Sequence, residues 1–187
     1  MRSILLLALV AAMIGCGSGA PTLTATSKTL PTSSALTAEV AVEEVRGDAL
    51  SVAIAKHKDK VVVVDLWATW CESCVKKFPH FVAMHKKYAD RGLVCVSLSM
   101  DKLTPTTYKK AAVLEFLKKK DAAFPNYVVL EPEDDEKALT GLFTEDYRLI
   151  PLMVIFDKGG RRVWSSGDGP KLSDEQLDKK IEDLLAK

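Results

Sequence analysis

Runs of apolar residues along the middle of the chain predict buried β-strands. Residues 61–67, Val-Val-Val-Val-Asp-Leu-Trp, are almost wholly apolar, and residues 93–99 form a second such run. A strand that is apolar on both faces is typical of the centre of a parallel sheet. Shorter runs predict strands at 127–130 and 152–156, and a Gly-Gly turn after the latter makes residues 162–166 its hairpin partner.

Apolar residues recur at helical spacing in the intervals between these strands. The predicted helices cover 48–57, 72 to about 90, 106–120 and 133–143. A last helix follows Ser173, because the segment from Ser173 to Gln176 matches a capping box. The order of the elements predicts an α/β fold. Its central mixed β-sheet is parallel on one side, antiparallel on the other, and flanked by helices.

The first residues follow the pattern of a bacterial secretory signal. Arg2 precedes an apolar stretch at 4–14, and a cluster of small residues comes next. The stretch is shorter than the roughly 20 residues of a membrane-spanning helix. Met-Ile-Gly-Cys, ending at Cys16, resembles a lipobox, which predicts a signal peptide at 1–15 and a lipid on Cys16. Cleavage after Ala20 is the alternative, although a Pro would then follow the scissile bond.

The segment at 16–38 is predicted to be a disordered, lipid-attached linker. Residues 17–38 contain ten Ser or Thr, two Pro and one charged residue, with no apolar period that could bury a core. The remaining residues, 39–187, are a usual size for one folded domain. The whole chain carries 26 Lys and Arg against 25 Asp and Glu, and this near-neutral charge argues against a nucleic-acid partner.

Two cysteines at the junction of the first long strand and the following helix carry the candidate chemistry. Two residues separate Cys71 from Cys74, which places both sulfurs in the first helical turn, close enough to form a disulfide. The free N–H groups and the positive dipole end of the helix stabilise a thiolate. We therefore expect a lowered pKa for Cys71 and a shielded, resolving Cys74. The same spacing is half of a zinc site, but the three histidines are scattered and no second cysteine pair completes one.

The sequence around these cysteines resembles the active-site segment of the thioredoxin superfamily. The resemblance rests on residues 64–74, Val-Asp-Leu-Trp-Ala-Thr-Trp-Cys-Glu-Ser-Cys. The Lys-Lys-Phe-Pro at 76–79 and the export signal are most similar to the TlpA/ResA-like extracytoplasmic thiol-disulfide oxidoreductases. The resemblance covers about residues 45–187 and implies a thioredoxin-like fold, in which 106–120 and 127–130 form a TlpA-like central insertion.

The resemblance implies a role for each residue at the centre of the site. Cys71 attacks a substrate disulfide, and Cys74 then attacks Cys71 and releases the reduced substrate. Run in reverse, the same pair oxidises dithiols. Asp65 matches the buried carboxylate that takes the Cys74 proton. The redox-active disulfide is the only reactive group implied, with no metal and no separate cofactor.

The resemblance also implies substrate contacts and a location. Ile150 and Pro151 match the loop whose cis-proline lies against the active site and pairs with the substrate backbone. Trp70 is expected to pack over the cysteines and limit water access. The implied partners are protein thiols or disulfides, an upstream electron donor in the membrane, and the membrane itself through the lipid. The implied place is the periplasmic side of a bacterial membrane, and the ResA resemblance suggests apocytochrome c thiols as substrate.

Two positions depart from the family pattern. Pro is common before the second cysteine, whereas Ser73 stands there and restores a donor near the Cys71 sulfur; Glu72 opposes this by adding negative charge. Our hypothesis is that Ser73 dominates, because a directed donor outweighs a solvated side chain, and that the couple is more oxidising than that of a Ser73→Pro variant. Lys77 stands where ResA-like proteins often carry a Glu, which leaves Asp65 as the one active-site carboxylate expected.

Two other classes of function are compatible with this fold. A metal module of the copper-carrier kind would bind through the same thiolates, although such carriers use a three-residue spacer and a distal His that are not evident here. A domain kept only for interaction would not need Cys71, Cys74, Asp65 and Pro151 together. Cys95, inside a buried strand, is expected to be an inert hydrophobe.

Overall fold

The computed structural model describes residues 39–132 and 134–187. The predicted signal peptide at 1–15, the linker at 16–38 and the lipidation site Cys16 lie outside these residues. Within the described ranges, no helix has the length and apolar character needed to cross a bilayer.

One mixed sheet runs through the described part of the chain. Its strands are β1 (Glu43–Val45), β2 (Val61–Trp67), β3 (Leu93–Ser99), β4 (Asn126–Val129), β5 (Leu152–Phe156) and β6 (Arg162–Ser165). They lie in the order β1-β4-β3-β2-β5-β6. The first four in that order are parallel, whereas β5 runs antiparallel to β2 and β6 antiparallel to β5. The predicted sheet, parallel on one side and antiparallel on the other, is confirmed.

Helices flank the sheet as predicted. They are α1 (Gly47–Ala55), α2 (Glu72–Tyr88), α3 (Lys110–Lys119), α4 (Glu136–Leu142) and α5 (Asp174–Leu185), with single 3-10 turns at Ala89–Arg91 and Asp101–Leu103. The capping box at the start of α5 is confirmed. The Gln176 N–H donates to Ser173 Oγ, and the Ser173 N–H donates to Gln176 Oε1. These two bonds satisfy backbone groups that would otherwise lack partners at the helix start.

Strand β2 is the centre of the fold, since all seven of its residues are buried. Alternate residues of a strand point to opposite faces of the sheet. Its odd-numbered apolar residues belong to a core shared with α2, α3 and α5, and its even-numbered residues to a core shared with α1 and α4. The two sides are called the α2 face and the α1 face below. The α2 face includes Val61, Val63, Trp67, Phe78, Leu117 and Leu177, and the α1 face Leu50, Val62, Val64, Leu66 and Leu139.

Two predicted helices begin later than expected, each because a turn precedes it. The helix predicted at 106–120 is α3, which begins at Lys110; the Thr107 N–H and hydroxyl both donate to the Thr104 carbonyl and hold that segment in a turn. The helix predicted at 133–143 is α4, which begins at Glu136, after a turn in which two successive N–H groups donate to the Glu131 carbonyl.

The strand predictions differ from the structure by small shifts and one omission. The strand predicted at 127–130 is β4, one residue earlier, and that at 162–166 is β6, one residue shorter. Strand β1 was not predicted, because Glu-Glu-Val is too short to show an apolar alternation and forms through parallel pairing with β4. The assignment of α3 and β4 to a TlpA-like insertion stays a prediction.

Candidate active site

The two cysteines lie where the central strand gives way to a helix. Cys71 is the N-cap residue of α2, and its sulfur accepts a hydrogen bond from the Cys74 N–H at 3.2 Å. The two Sγ atoms form a disulfide. Cys71 is 8% exposed and Cys74 1%. The Cys71 sulfur thus lies at the N-terminus of α2, and the Cys74 sulfur is more deeply buried. This is the arrangement expected of an attacking and a resolving thiol.

The two residues between the cysteines act on the Cys71 sulfur in different ways. The Ser73 hydroxyl oxygen lies 3.5 Å from Cys71 Sγ, so a polar donor is within reach of the sulfur. Glu72 instead pairs with Lys76 at 2.6 Å, and both side chains are exposed. The negative charge of Glu72 is therefore opposed by a neighbouring cation and screened by solvent. This geometry favours the hypothesis that Ser73 dominates the local effect, and the effect on redox potential stays a prediction.

Asp65 is a buried carboxyl on the same face of the sheet as the disulfide. It lies two residues from both Val63 and Trp67 along β2, so its side chain points to the same side of the sheet as theirs, and these two residues share a core with both cysteines. Its side chain is 6% exposed, as predicted from the apolar run around it. Burial raises the pKa of Asp65 to about 7, and the positive charge of Lys77 acts in the opposite direction. A carboxyl with this pKa can accept or release a proton at neutral pH.

The loop before β5 carries the predicted proline. The peptide bond between Ile150 and Pro151 is cis, as the resemblance implies. Ile150 packs against the core that contains both cysteines. Pro151 and Asp65 line one groove, so the proline loop and the buried carboxyl border the same space. The pairing of this loop with a substrate backbone stays a prediction.

The two tryptophans near the site have different environments. Trp67 is fully buried, as the apolar run at 61–67 predicts, and its ring centroid lies 4.8 Å from that of Phe78. Trp70 is 48% exposed, so half of its surface faces solvent beside Cys71. Its predicted packing over the cysteines stays a prediction.

Asp101 holds the loop that leads to Cys71, and this role was not predicted from the sequence. Its buried carboxylate accepts hydrogen bonds from the Thr69 backbone N–H at 3.1 Å, from the Thr69 hydroxyl and from the Ser99 hydroxyl at 2.6 Å. Thr69 lies two residues before Cys71, so Asp101 fixes the position of the disulfide from the end of β3. The only sequence signal is an Asp just after a buried strand.

A groove of about 480 Å³ adjoins the site and contains further residues that the sequence did not single out. It is called the side groove below. It lies between α2, the β5–β6 hairpin and the start of α5, and Asp65 and Pro151 are part of its lining. His80, for which the sequence offered no partner, also lines it, with its Nδ1 3.6 Å from Asp174.

The described residues do not surround the two cysteines with the further side chains that a metal site would need. Among residues 39–132 and 134–187, no group of three or more His, Cys, Asp or Glu side chains is arranged to hold a metal ion. Cys95 is free and fully buried in β3, and burial, with a smaller contribution from Asp65, raises the pKa of its thiol. A buried thiol of this kind is a poor nucleophile, in keeping with the expected inert role.

The chain resembles known proteins both in sequence and in structure. The Redoxin family model matches residues 17–175. A thiol-disulfide oxidoreductase ResA of Bacillus cereus is 27% identical over 130 residues, which cover 70% of this chain and 64% of that protein. A thioredoxin-family thiol:disulfide interchange protein from Chlorobium tepidum TLS superposes with a TM-score of 0.57 at 24% identity, over 70% of this chain and 83% of that one. The exposed lipoprotein thioredoxin of Streptococcus pneumoniae gives 0.54 at 18% identity, over 70% and 90%.

The mixed sheet, the flanking helices and the solved neighbours together define a thioredoxin-like fold. The chain belongs to the Redoxin family, because that family model matches most of its length. The predicted resemblance to ResA-like members of the thioredoxin superfamily is confirmed. The chain spans 64% of the length of the curated ResA protein it matches.

Proposed function

We propose that this protein is a thiol-disulfide oxidoreductase that exchanges electrons with cysteine pairs of other proteins. The observation that carries the proposal is the Cys71–Cys74 disulfide at the start of α2, on the face of the sheet that also holds the buried Asp65. The similarity to ResA supports the same activity.

The residues of the site provide for a balanced two-electron exchange. In the reduced protein, the Cys71 thiolate attacks one sulfur of a substrate disulfide, forms a mixed disulfide and expels the other substrate sulfur as a thiolate. Asp65, in its ionised form, takes the proton of Cys74. The Cys74 thiolate then attacks Cys71 Sγ and expels the second substrate sulfur. The substrate gains two electrons, and the Cys71–Cys74 disulfide forms. The same steps in reverse oxidise a dithiol.

Exposed apolar side chains beside the site support proteins as substrates. Trp70, next to Cys71, is 48% exposed, and Leu149, two residues before Pro151, is 70% exposed. Both side chains lie within two residues of proposed site residues, Cys71 and Pro151, and an exposed apolar patch at such a place would mark a contact surface. We therefore infer that a substrate protein packs on Trp70 and Leu149 while its cysteine reaches Cys71.

The proposed place of action is the outer side of a bacterial membrane. The signal sequence and the lipobox ending at Cys16 support export and lipid attachment. The neighbour from Streptococcus pneumoniae is an exposed lipoprotein thioredoxin, which is in line with this location. The proposal includes an electron donor in the membrane, and the similarity to ResA supports apocytochrome c thiols as the substrate.

Insulin reduction in the presence of dithiothreitol tests the activity. We expect the wild-type protein to accelerate precipitation of the insulin B chain and the Cys71→Ala variant to be inactive. In a separate reaction without dithiothreitol, a reduced Cys74→Ala variant should accumulate a mixed disulfide with its substrate, which mass spectrometry identifies. Equal rates for wild type and Cys71→Ala would contradict the proposal. Metal bound at a stoichiometric level after anaerobic purification would favour the metal-module alternative instead.

Location is tested separately from activity. Cells that express the full chain are labelled with radioactive palmitate, and we expect label in the wild-type protein but none in a Cys16→Ser variant. Label in both proteins, or in neither, would contradict lipid attachment at Cys16.

A further inference from the structure

The side groove combines an apolar floor with positive charge next to the proposed reaction centre. Its lining consists of Asp65, Lys76, Lys77, His80, Phe81, Pro151, Met153, Trp164, Ser166, Lys171, Leu172, Asp174 and Leu177. At about 480 Å³, it can hold two or three amino-acid side chains of a bound chain segment. Because Pro151 is part of the lining, a segment bound here continues from the site at which substrate is proposed to pair.

The charges of the groove do not cancel. Lys76 is paired with Glu72 at 2.6 Å, and His80 faces Asp174 at 3.6 Å. Lys77 and Lys171 form no ion pair within 4 Å among residues 39–132 and 134–187. Two exposed ammonium groups from different elements, α2 and the segment before α5, therefore border the groove without an ion-pair partner, although the charge of Lys77 also acts on the buried Asp65.

The neighbouring acidic groups leave this positive character in place. The Asp174 carboxylate lies beside His80, and the Asp65 carboxyl is buried at the sheet. Neither lies within ion-pair distance of Lys77 or Lys171. A carboxylate brought in by a bound molecule can thus pair directly with these two exposed lysines, which form no ion pair within 4 Å with Asp65 or Asp174.

The apolar residues of the groove indicate a polypeptide rather than a small anion. Phe81 and Leu177 are buried below it, and Met153, Trp164 and Leu172 are partly exposed on its walls. An inorganic anion gains nothing from such surface, whereas a peptide buries apolar side chains there and places a carboxylate at the lysines.

We propose that the side groove binds the chain segment next to the reacting cysteine of a substrate protein and selects segments that carry Asp or Glu, with Lys77 and Lys171 as the specificity-determining residues. This inference rests on the proposed oxidoreductase function and adds a class of substrate to it. Charge attraction at an open groove acts mainly on the rate of association and weakens as salt screens it.

The test uses three synthetic peptides that share one internal disulfide and differ only in flanking residues, which are Glu, Gln or Lys. The reduced full-length protein reduces each peptide at low and at high salt, and the observable is the ratio of the second-order rate constants for the Glu and Lys peptides. Taking a ratio within one protein removes any change in the intrinsic reactivity of Cys71.

We expect the wild-type protein to prefer the Glu peptide by roughly tenfold at low salt, since the two exposed lysines attract the Glu peptide and repel the Lys peptide. The Lys77→Gln/Lys171→Gln variant should bring the ratio close to one, and high salt should do the same to the wild type. The matched control is Lys56→Gln/Lys58→Gln, which removes the same charge at the end of α1, on the opposite face of the sheet, and should keep the wild-type ratio.

The outcomes separate the two proposals. Reduction of all three peptides at equal rates would overturn the acidic preference and leave the oxidoreductase function standing. A preference that survives in the Lys77→Gln/Lys171→Gln variant, or that disappears equally in the control, would overturn the assignment to these lysines. Failure to reduce even the Gln peptide would overturn the oxidoreductase function itself, and this inference with it.

Discussion

The two faces of the sheet differ in chemistry although they are built from the same strands. On the α1 face, β2 and β3 contribute buried Val62, Val64, Leu66, Val96 and Leu98, all apolar. On the α2 face, the same strands contribute polar or titratable side chains, namely Asp65, Cys95, Ser97 and Ser99. Asp65, Ser97 and Ser99 lie toward the carboxyl ends of the strands, where Asp101 and the disulfide also lie.

This difference indicates that the α1 face contributes mainly to stability and that the α2 face also holds the candidate active site. Apolar side chains on the α1 face stabilise the fold when they are removed from water, because they carry no polar group that needs a hydrogen-bond partner. The α2 face buries a carboxyl, which lowers stability when that carboxyl ionises, but this burial also raises its pKa to the value that the proposed proton transfer requires. Substitution of Leu66 on the α1 face and of Asp65 on the α2 face should therefore have opposite profiles, the first lowering stability without affecting the chemistry and the second affecting the chemistry with a gain in stability.

The largest effect on stability is expected on the α1 face. Leu66→Ala removes a fully buried side chain and should lower the free energy of unfolding by about 2–5 kcal/mol. The folded protein should keep the wild-type rate of insulin reduction, because Leu66 points away from the disulfide. Urea unfolding measures the first quantity. Val52→Ala, at a position that is 59% exposed, is the control and should stay within about 0.5 kcal/mol of wild type. A large loss of rate in Leu66→Ala would show that the faces are not independent.

Asp65→Asn should have the opposite sign. In the folded protein the pKa of Asp65 is raised to about 7, so wild-type stability falls as pH rises from about 4, where the unfolded chain ionises, to about 7. Asn carries no such penalty. The oxidised Asp65→Asn variant should match the wild type near pH 4 and exceed it by up to about 4 kcal/mol above pH 7.

Urea unfolding of both oxidised proteins at a series of pH values measures this difference. The exchange reaction of Asp65→Asn should be slower at neutral pH, since the variant cannot take the Cys74 proton. A stability difference that does not change with pH would contradict the raised pKa of Asp65.

Asp101→Ala should loosen the loop before the disulfide. The substitution leaves the Thr69 N–H and the Ser99 hydroxyl without their acceptor, so we expect a loss of about 1–3 kcal/mol in the free energy of unfolding. A lower rate of alkylation of reduced Cys71 should accompany it, because the loop no longer fixes the cysteine at the helix mouth. Asp101→Asn keeps one acceptor oxygen and should recover part of both losses. An unchanged alkylation rate in Asp101→Ala would restrict Asp101 to a structural role.

The smallest effect is expected at Ser73. Ser73→Pro removes the hydroxyl that lies 3.5 Å from Cys71 Sγ and should make the disulfide more reducing by a few tens of mV, where about 30 mV corresponds to 1.4 kcal/mol. Equilibration with glutathione measures the potential. Ser73→Ala, which removes the hydroxyl and keeps the backbone N–H, separates the two donors. A Ser73→Pro protein that is equally or more oxidising than wild type would contradict the hypothesis.

The sequence predicted the elements whose signals are local. Strands β2, β3 and β5 have the predicted bounds because each is an apolar run that is buried on both faces, and α5 begins at its predicted capping box. The disulfide pair and the burial of Asp65 were also predictable, since spacing and an apolar context are visible in the chain itself. Strand β1 was missed because its pairing with β4 alone makes it a strand.

The features of the site that the sequence did not predict depend on contacts between segments that are distant along the chain. Asp101 and Thr69 are 32 positions apart, and only the pairing of β2 with β3 brings them together. Lys77 and Lys171 belong to α2 and to the segment before α5, and only the folded chain brings them to one groove. No local pattern marks either relationship.

The pKa of the Cys71 thiol tests the central claim most directly. The rate of iodoacetamide alkylation of the reduced Cys74→Ala variant is measured across pH, with Cys71→Ala/Cys74→Ala as the blank for the other cysteines. We predict a midpoint well below the value of about 8.5 of a free thiol, because Cys71 caps α2 and its sulfur accepts the Cys74 backbone N–H. A midpoint at or above that of glutathione would contradict the account.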